Sequence, residues 1–446
     1  MASAIRTLHL RPSRHMFTAI KWMITGFLLS YLGTMLAEGA LPGLIAAGLL
    51  PVAALTAFRT VGMLLDTTTP LMMRFLERFS PGKLLVGSEA ADAIASLAAL
   101  ILVLAIPDQA AFILFGYLLV AAILPLIVDI AEELYIAQAV DRDENAAVTF
   151  NVVISSSSAV IGFVLAQPLG ALLAEISVIV LLAANIALSL GATGSRLRAS
   201  RFVKTVPTVT VRDPQSHSVS PPSEKPAQSS QVPWRRRTIS WFTRMYGLRL
   251  LSPFISGALS LIGAIYGTYL VIWIAGVSGS WISSAAVGLV AYGIGRVAGP
   301  VAAGGMSRKL GAATTALFQT IAYTVVIAGS LLIALFDVLN SDEVVLAGAM
   351  IVALTFLAVT SSGARAMFIA LRQSRLSGVT LSRVIGVSRS LSATGTLLGV
   401  WGGLAVGVTT QPWLGLSISL ATSIALTMFT VWSYVSGPAT SSPQER

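Results

Sequence analysis

The chain has 446 residues, of which 55% are hydrophobic and 11% are charged, and its formal net charge is +10. Its mean hydropathy of +0.82 excludes a soluble globular protein, because a water-soluble domain of this size could not bury so much apolar surface. The absence of cysteine excludes disulfides and thiolate metal sites. The basic excess does not indicate nucleic-acid binding, since it lies in loops beside apolar segments, where anionic lipid headgroups attract it.

Apolar stretches long enough to cross a hydrocarbon core of ~30 Å recur along the whole chain. Because lipid offers no hydrogen-bond partners, each stretch is predicted to be a helix whose backbone groups pair internally. Twelve are predicted and numbered spans 1 to 12: 17–40, 46–76, 83–106, 111–137, 148–173, 176–195, 249–275, 283–305, 311–336, 343–370, 383–409 and 413–436. The predicted fold class is therefore an all-α polytopic membrane protein.

The basic residues are distributed on one side of these spans. Arg59, Arg296 and Arg365 lie well inside spans, and the other Lys and Arg residues are placed at or beyond the span ends that face one side. None falls in a predicted loop on the opposite side. Because loops rich in Lys and Arg stay cytoplasmic during insertion, both termini are predicted to be inside. The composition, rich in Ala, Arg and Val, favours a bacterial source, so the predicted location is the plasma or inner membrane of a bacterial cell.

A long polar interruption separates spans 6 and 7. Residues 205–233 are rich in Pro, Ser, Thr and Gln and are predicted to form a disordered linker. Residues 234–248 mix aromatic and Arg side chains, which suits either an interfacial amphipathic segment or a charged lead-in to span 7. The predicted organisation is an N-terminal cytoplasmic tail (1–16), a six-helix bundle (17–195), a basic linker (196–248), a second six-helix bundle (249–436) and a C-terminal cytoplasmic tail (437–446).

The two predicted bundles align with each other. A shift of 233 residues places Gly162 on Gly395 and Gly170 on Gly403, without gaps across spans 4–5 and 10–11. Two parallel halves related by an axis along the membrane normal are the arrangement of the major facilitator superfamily, which the chain resembles. The resemblance implies two pseudo-symmetric six-helix bundles and a monomeric transporter.

Two loop motifs resemble the signature of this family between spans 2 and 3, in which a Gly is followed by an acid and basic residues. They are the segment 304–311, with the sequence GGMSRKLG, and the weaker copy 77–83, with the sequence ERFSPGK. In the family this element holds the cytoplasmic face closed. The resemblance therefore implies that Glu77, Arg78, Arg308 and Lys309 act in gating.

Span 5 carries the sequence GFVLAQPLG at 162–170, which resembles the Gly/Pro element of antiporter branches, with Gln167 before Pro168. The stretch 372–386 leads into the glycines of span 11 and resembles the exporter branch that includes siderophore and macrolide efflux proteins. Glycines permit close helix contact and proline bends a helix, but both are also common in any membrane helix. The hinge and packing candidates are Gly162, Pro168, Gly170, Gly395, Gly399 and Gly403.

Ionisable residues inside spans are the first candidates for transport chemistry, because burying them is costly unless they are paired or hydrated. Asp129, Glu132 and Glu133 in span 4 follow i, i+3, i+4 spacing and so share one helical face. Neighbouring carboxylates repel, so at least one is expected to bind a proton near neutral pH; alternatively, the two glutamates lie in water at the cytoplasmic end. The proton-coupling candidates are Asp129, Glu132, Asp66 and Glu38.

Basic residues inside spans predict ion pairs. The 233 shift places Glu132 opposite Arg365, which predicts an ion pair between the halves unless Arg365 extends to the cytoplasmic headgroups. Arg59 is expected to pair with Asp66 or Glu38, or to bind an anionic group of the substrate. The ion-pair and gating candidates are Arg59, Arg296, Arg365, Glu77, Arg78, Arg308 and Lys309.

Other polar residues have less specific interpretations. Glu89 and Asp92 at the start of span 3 are expected to meet the neighbouring basic loop. The three histidines lie outside the spans, so no metal site is predicted. The substrate-cavity candidates, which could equally face lipid or other helices, are Tyr31, Met35, Asn151, Gln167, Trp273 and Tyr292.

The sequence and the resemblance together predict a secondary active transporter, with proton-coupled export of a small apolar or amphipathic organic compound as the first hypothesis. The alternatives are a siderophore-specific exporter, an importer or facilitator, and a non-transporting scaffold or sensor of the same fold. No enzyme is predicted, since the chain has no P-loop pattern, nucleophile–histidine arrangement or metal cluster. The expected partners are lipid, a small substrate and protons, without a cofactor or nucleic acid.

Overall fold

The computed structural model describes residues 14–46, 50–51, 53–76, 78–140, 143–202, 245–266, 281–337, 343–405 and 412–436. Nearly all of them are helical. Glu77, Trp273 and the segment 203–244 lie outside the described residues, as do the side chains of Arg59, Gln167 and Pro168.

The first half contains six helical rods in the predicted order. Their bounds are Arg14–Ala46 for span 1, Ala53–Thr67 with Thr69–Leu76 for span 2, Pro81–Ala105 for span 3, Ala110–Ala121 with Ile123–Val140 for span 4, Glu144–Ala159 with Gln167–Ile176 for span 5, and Val178–Phe202 for span 6. A π-helical segment, Val160–Ala166, joins the two parts of span 5. The helix of span 6 extends beyond its predicted end at residue 195, which brings Arg196 into the bundle.

The second half repeats this order. Its helices are Phe254–Ile265 for span 7, Trp281–Leu310 for span 8, Ala312–Asp337 for span 9, Glu343–Arg375 for span 10, Gly378–Ala405 for span 11 and Pro412–Val435 for span 12. Within the described residues, eight helices are long and apolar enough to cross a membrane: those of spans 1, 3, 4, 5, 6, 9, 10 and 12. Spans 8 and 11 are rich in Gly and Ser and contain arginines within their helices.

Glycines in the fifth helix of each half pack against the first helix of the same half. A Cβ on Gly170 would strike the backbone of Leu36 in span 1. In the second half, a Cβ on Gly395 would strike the backbone of Gly257 in span 7, and one on Gly399 would lie 2.6 Å from the carbonyl oxygen of Leu261. Spans 5 and 11 therefore take equivalent places, as the sequence repeat predicts, and their glycines allow two backbones to approach closely.

Prolines break two spans of the first half. Proline has no N–H, so Pro70 leaves the carbonyl of Asp66 without its helical donor, and the Thr69 hydroxyl donates to that carbonyl at 2.6 Å. Span 2 is interrupted at Thr68, and span 4 is interrupted at residue 122, three residues before Pro125. The described helices of spans 8 and 11 continue without a break, although span 8 contains Pro300.

Polar contacts between the halves lie toward one end of the bundle. They include the Arg375–Glu144 ion pair (3.2 Å) and the hydrogen bonds from Ala312 N to Glu144, Asn151 to Gln373, Ser156 to the Val297 carbonyl, and Ser390 to the Thr67 carbonyl. Each residue lies in the half of its span that is predicted to face the cytoplasm. These contacts hold the two halves together over that end.

Candidate functional site

A cavity of about 300 Å³ opens among spans 1, 2, 3, 4, 6 and 11. It forms beside the breaks in spans 2 and 4, where Gly62 has no atom within 4 Å of the position that a Cβ would take. Apolar side chains, including Phe58, Met63 and Leu126, make part of its wall. The remainder is polar, so the cavity combines the two surface types that an amphipathic solute needs.

Four carboxylates of the first half line this cavity. Glu38 comes from span 1, Asp66 from span 2, Asp92 from span 3 and Asp129 from span 4. Three of them are proton-coupling candidates from the sequence, and the fourth, Asp92, was expected to meet the basic loop. The structure thus collects acids from four helices around one space, which the spacing within a single helix could not show.

An ion pair inside the cavity connects the two halves. The Arg389 guanidinium of span 11 lies 3.1 Å from Oδ2 of Asp129 in span 4, with side chains that are 25% and 46% exposed. An ion pair between Glu132 and Arg365 is not what the structure shows. Glu132 turns away from the cavity and pairs with Arg196 of span 6. Asp129 and Glu132 lie about 4.5 Å apart along the helix axis, so their side chains reach different neighbours although they share one face.

Asp92 belongs to a hydrogen-bond network on spans 3, 4 and 6. Its carboxylate accepts bonds from the Tyr117 hydroxyl (3.0 Å), the Ser189 hydroxyl (2.6 Å) and Nδ2 of Asn185 (3.1 Å). The Ser96 hydroxyl also donates to Tyr117 at 2.9 Å. The expectation that Asp92 meets the basic loop is therefore wrong, because these neutral donors of the bundle satisfy its carboxylate instead.

A second cluster lies buried next to the cavity. Arg196 Nη2 contacts both Glu89 Oε1 (3.2 Å) and Glu132 Oε1 (2.5 Å), and the three side chains are 1%, 3% and 6% exposed. Glu89 also does not meet the basic loop, since it turns into the bundle toward Arg196. The sequence places Arg196 at the start of the predicted linker, and no local pattern there indicates its pairing with two acids.

Cations gather on the side of the second half. Arg365 is exposed although it lies inside span 10, and its Nη2 donates to the Ser260 hydroxyl of span 7 at 2.9 Å. The guanidinium of Arg296 in span 8 lies 6.0 Å from the ring centre of Tyr292. Arg296 and Arg389 are both near enough to act electrostatically on Arg365. The acids that line the cavity therefore belong to the first half, and the arginine that lines it, Arg389, belongs to the second.

The substrate-cavity candidates Tyr31, Met35 and Asn151 do not line this cavity. Tyr31 and Met35 of span 1 face Gly162, where a Cβ would lie 3.0 Å from the Tyr31 hydroxyl and 3.4 Å from the Met35 sulfur. Asn151 is buried and donates to Oε1 of Gln373 at 2.6 Å, so it joins the halves instead of lining this cavity. Gly162 thus serves helix packing within the first half.

The gating candidates, at span ends that the sequence predicts to be cytoplasmic, are only partly described. Arg78, Arg308 and Lys309 are exposed at the ends of spans 2 and 8, and Glu77 lies outside the described residues. Gly403 is buried in span 11. The role of these residues in gating stays a prediction.

Arg389, Asp92, Tyr117 and Asn185 were missed as site residues. Arg389 lies close to the predicted start of span 11, so it was counted with the cytoplasmic arginines. Tyr117 and Asn185 are isolated polar residues in apolar spans, and that isolation was the available signal, because a polar side chain in lipid needs a partner.

A scan against family models and a search of curated proteins give no match. Solved structures do match. A bacterial homologue of the iron transporter ferroportin in an outward-facing state superposes with a TM-score of 0.70 at 14% identity, covering 94% of this chain and 99% of that chain. The E. coli fucose:proton symporter FucP superposes with a TM-score of 0.59 at 14% identity, and FucP in the outward conformation with 0.60 at 12%, each with the same coverage.

The chain has the major facilitator fold. The two halves, the order of the twelve spans and the paired places of spans 5 and 11 agree with it. The matched structures are named as a homologue of an iron transporter and as a fucose:proton symporter. They are named for different substrates, so at this identity the likeness concerns the fold, and the resemblance to an exporter branch remains a prediction.

Proposed function

We propose that the protein is a secondary active transporter that moves a small amphipathic organic solute by alternating access, coupled to protons. The observation that carries this proposal is the Asp129–Arg389 ion pair, which lies inside the cavity and joins the two halves. A proton or a cationic group that binds Asp129 must compete with Arg389. Occupation of the cavity is thereby coupled to the contact between the halves, which is what alternating access requires.

The closed end gives the proposed orientation of this conformation. The contacts between the halves lie at the ends where Lys and Arg accumulate, which are the ends proposed to be cytoplasmic. The structure then corresponds to a transporter closed toward the cytoplasm of a bacterial cell, with both termini inside. No cofactor is required in this scheme, since the proton gradient supplies the free energy, and one chain supplies both halves.

Export is the proposed direction, on the basis of the resemblance of spans 5 and 11 to the exporter branch. The test is a panel of labelled organic cations, neutral amphipathic compounds and siderophores, offered to the purified protein in vesicles with an imposed pH gradient. Accumulation that follows the gradient and disappears when an ionophore collapses it is the expected result. Transport that is unchanged by the ionophore would show a facilitator.

Deletion of the gene separates the other possibilities. An exporter predicts that cells without the protein retain more of the transported compound, and an importer predicts that they retain less. A scaffold or sensor predicts no change in accumulation, including in cells that carry the Asp129→Asn variant. The matched control is Asp108→Asn, which makes the same chemical change in the exposed turn between spans 3 and 4.

A further inference from the structure

The buried cluster of Glu89, Glu132 and Arg196 has one more acid than base. A single guanidinium nitrogen, Nη2, bridges one oxygen of each carboxylate at 3.2 and 2.5 Å. With both carboxylates ionised the cluster carries a net negative charge, and it becomes neutral when one of them holds a proton. Because an uncompensated charge is very costly in a buried site, the neutral form is strongly favoured.

The hydrogen bonds of the cluster are consistent with a proton on Glu89. Among the described residues, Glu89 Oε1 accepts no hydrogen bond, although its side chain is only 3% exposed. Buried oxygens are normally hydrogen-bonded. A proton on Glu89 turns this oxygen into a hydroxyl, which can itself donate. The Nε and Nη1 atoms of Arg196 also have no hydrogen-bond partner in this part of the chain, so the guanidinium has spare donors for a carboxylate that becomes ionised.

Two cavity acids give protons a route to this cluster. Asp92 lies three residues after Glu89 in span 3, and Asp129 lies three residues before Glu132 in span 4. Three residues correspond to about 4.5 Å along a helix. Because spans 3 and 4 run in opposite directions, both cavity acids lie on the same side of the buried pair, away from the closed end. Each buried carboxyl therefore has a water-accessible carboxyl one turn away.

Several groups of the neighbouring helices influence the buried pair. Arg196 comes from span 6, Asp92 from span 3, Asp129 from span 4 and Arg389 from span 11, and the Ser30 hydroxyl of span 1 bonds to Glu89. Arg389 is engaged by Asp129, so Arg196 is the cation that contacts both buried acids.

We propose that Glu89 and Glu132 share one exchangeable proton, held beside Arg196, and that this pair is the coupling site of the transport cycle. The site takes H⁺, which enters from cavity water through Asp92 or Asp129 and leaves by the same groups after the cavity opens to the other side. No covalent chemistry other than proton transfer between carboxyl oxygens is involved. The coupling role rests on the proposed transport function, whereas the shared proton does not.

The experiment compares the infrared spectra of the purified full-length wild type and its variants at neutral pH. The signal is the carbonyl stretch of protonated carboxyl groups. The variants are Glu89→Gln and Glu132→Gln, and the control is Asp108→Asn. Each amide keeps the shape of the side chain, and each leaves one acid opposite Arg196. We expect the same single band to disappear completely in both glutamine variants and to persist in the control.

A band that persists in either glutamine variant would overturn the shared proton. Gel filtration of each variant checks that the protein remains folded. Transport assays then test the coupling role separately: each glutamine variant is expected to retain exchange of substrate across the membrane and to lose accumulation driven by a pH gradient. If the wild type shows the band but its transport does not depend on the pH gradient, the coupling role is contradicted and the shared proton is supported. If transport follows the gradient without the band, the site is wrong and the function stands.

Discussion

Asp129 and Glu132 lie one helical turn apart, yet their side chains have opposite environments. Asp129 is 46% exposed in the cavity and pairs with an arginine of the other half, whereas Glu132 is buried against Arg196 of its own half. An exposed ion pair contributes little to stability, about 0.2–1 kcal/mol, so the Asp129–Arg389 pair is not explained by stability alone. Its position between the halves is the reason for the role in the transport cycle that we propose for it.

Exchanging the two charges tests this role. We expect Asp129→Arg and Arg389→Asp each to abolish transport, because each places two like charges across the interface. The double variant is expected to recover a measurable part of the wild-type rate, since it restores an ion pair with reversed polarity. The measurement is substrate flux in vesicles, with protein amounts matched.

The matched control is the exchange of Glu132 and Arg365. These two residues have separate partners, Arg196 and Ser260, so their double variant should remain as inactive as the single variants. Recovery in this second pair instead of the first would contradict the assignment of the ion pair that joins the halves.

The sequence predicts the surroundings of an individual residue only where the spacing within its own helix determines them. An acid in an apolar helix needs a partner or water, and in the structure Asp129 and Glu132 of span 4 each have an arginine partner. The identity of that partner depends on the rotation and depth of another helix, which no local pattern contains. Arg389 and Arg196 were therefore counted with the cytoplasmic loops, although each lies among the side chains of its bundle.

The packing of helices within each half depends on glycines of spans 5 and 11, which let the backbones of two helices come close together. The periodic glycines and the sequence repeat were sufficient to predict that these spans are equivalent. They were not sufficient to identify the surface that the glycines contact, and the structure places them against spans 1 and 7 of their own halves. The segment of span 5 that resembles the Gly/Pro element of antiporters thus has a packing explanation that does not involve the other half.

Alanine substitution measures this close approach. Gly170→Ala and Gly395→Ala each introduce a Cβ that meets backbone atoms, and backbone cannot move aside as a flexible side chain can. We expect each to lower the free energy of unfolding by about 1–3 kcal/mol, the usual cost of overpacking. Thermal unfolding in detergent is the measurement.

Gly329→Ala in span 9 is the control, because no atom lies within 4 Å of its Cβ position. It should leave stability unchanged or raise it slightly, since alanine favours helix more than glycine does. Equal losses at all three positions would mean that the close contacts are not the cause.

The whole molecule is closed at one end by contacts between the halves. At Gly304 a Cβ would lie 3.7 Å from the Cβ of Val152, and at Gly386 a Cβ would lie 3.6 Å from the Cβ of Met73. Both distances fit the 3.5–4.5 Å range of disulfides. Since the chain contains no cysteine, a pair of introduced cysteines reacts without competition.

We expect Val152→Cys/Gly304→Cys and Met73→Cys/Gly386→Cys to form disulfides under mild oxidation and to stop transport. Reduction should restore transport, because in the proposed cycle the closed end opens once per turnover. Non-reducing electrophoresis and flux measurements before and after reduction provide the test, with the single-cysteine variants as controls. Full transport in a completely oxidised pair would contradict the opening of this end.

Fold class and the number of spans could be predicted because hydropathy, charge bias and the internal repeat are properties of long segments. The difference between the interiors of the two halves could not be predicted. The cavity lies mainly in the first half, where prolines interrupt spans 2 and 4, while glycines of span 8 such as Gly295 and Gly299 pack tightly against span 10 in the second. A symmetric repeat of the sequence therefore folds into two halves with different interiors.

The interruptions at Thr68 and residue 122 and the π segment Val160–Ala166 have a mechanical consequence. Peptide groups at such joints lack part of the regular hydrogen-bond ladder, so bending concentrates there, whereas the intact rods of spans 8 and 11 resist it. Amide protons near these joints should exchange with deuterium sooner than those at matching depth in spans 8 and 11. The rocking motion would then be carried by one pliable bundle working against a stiff one.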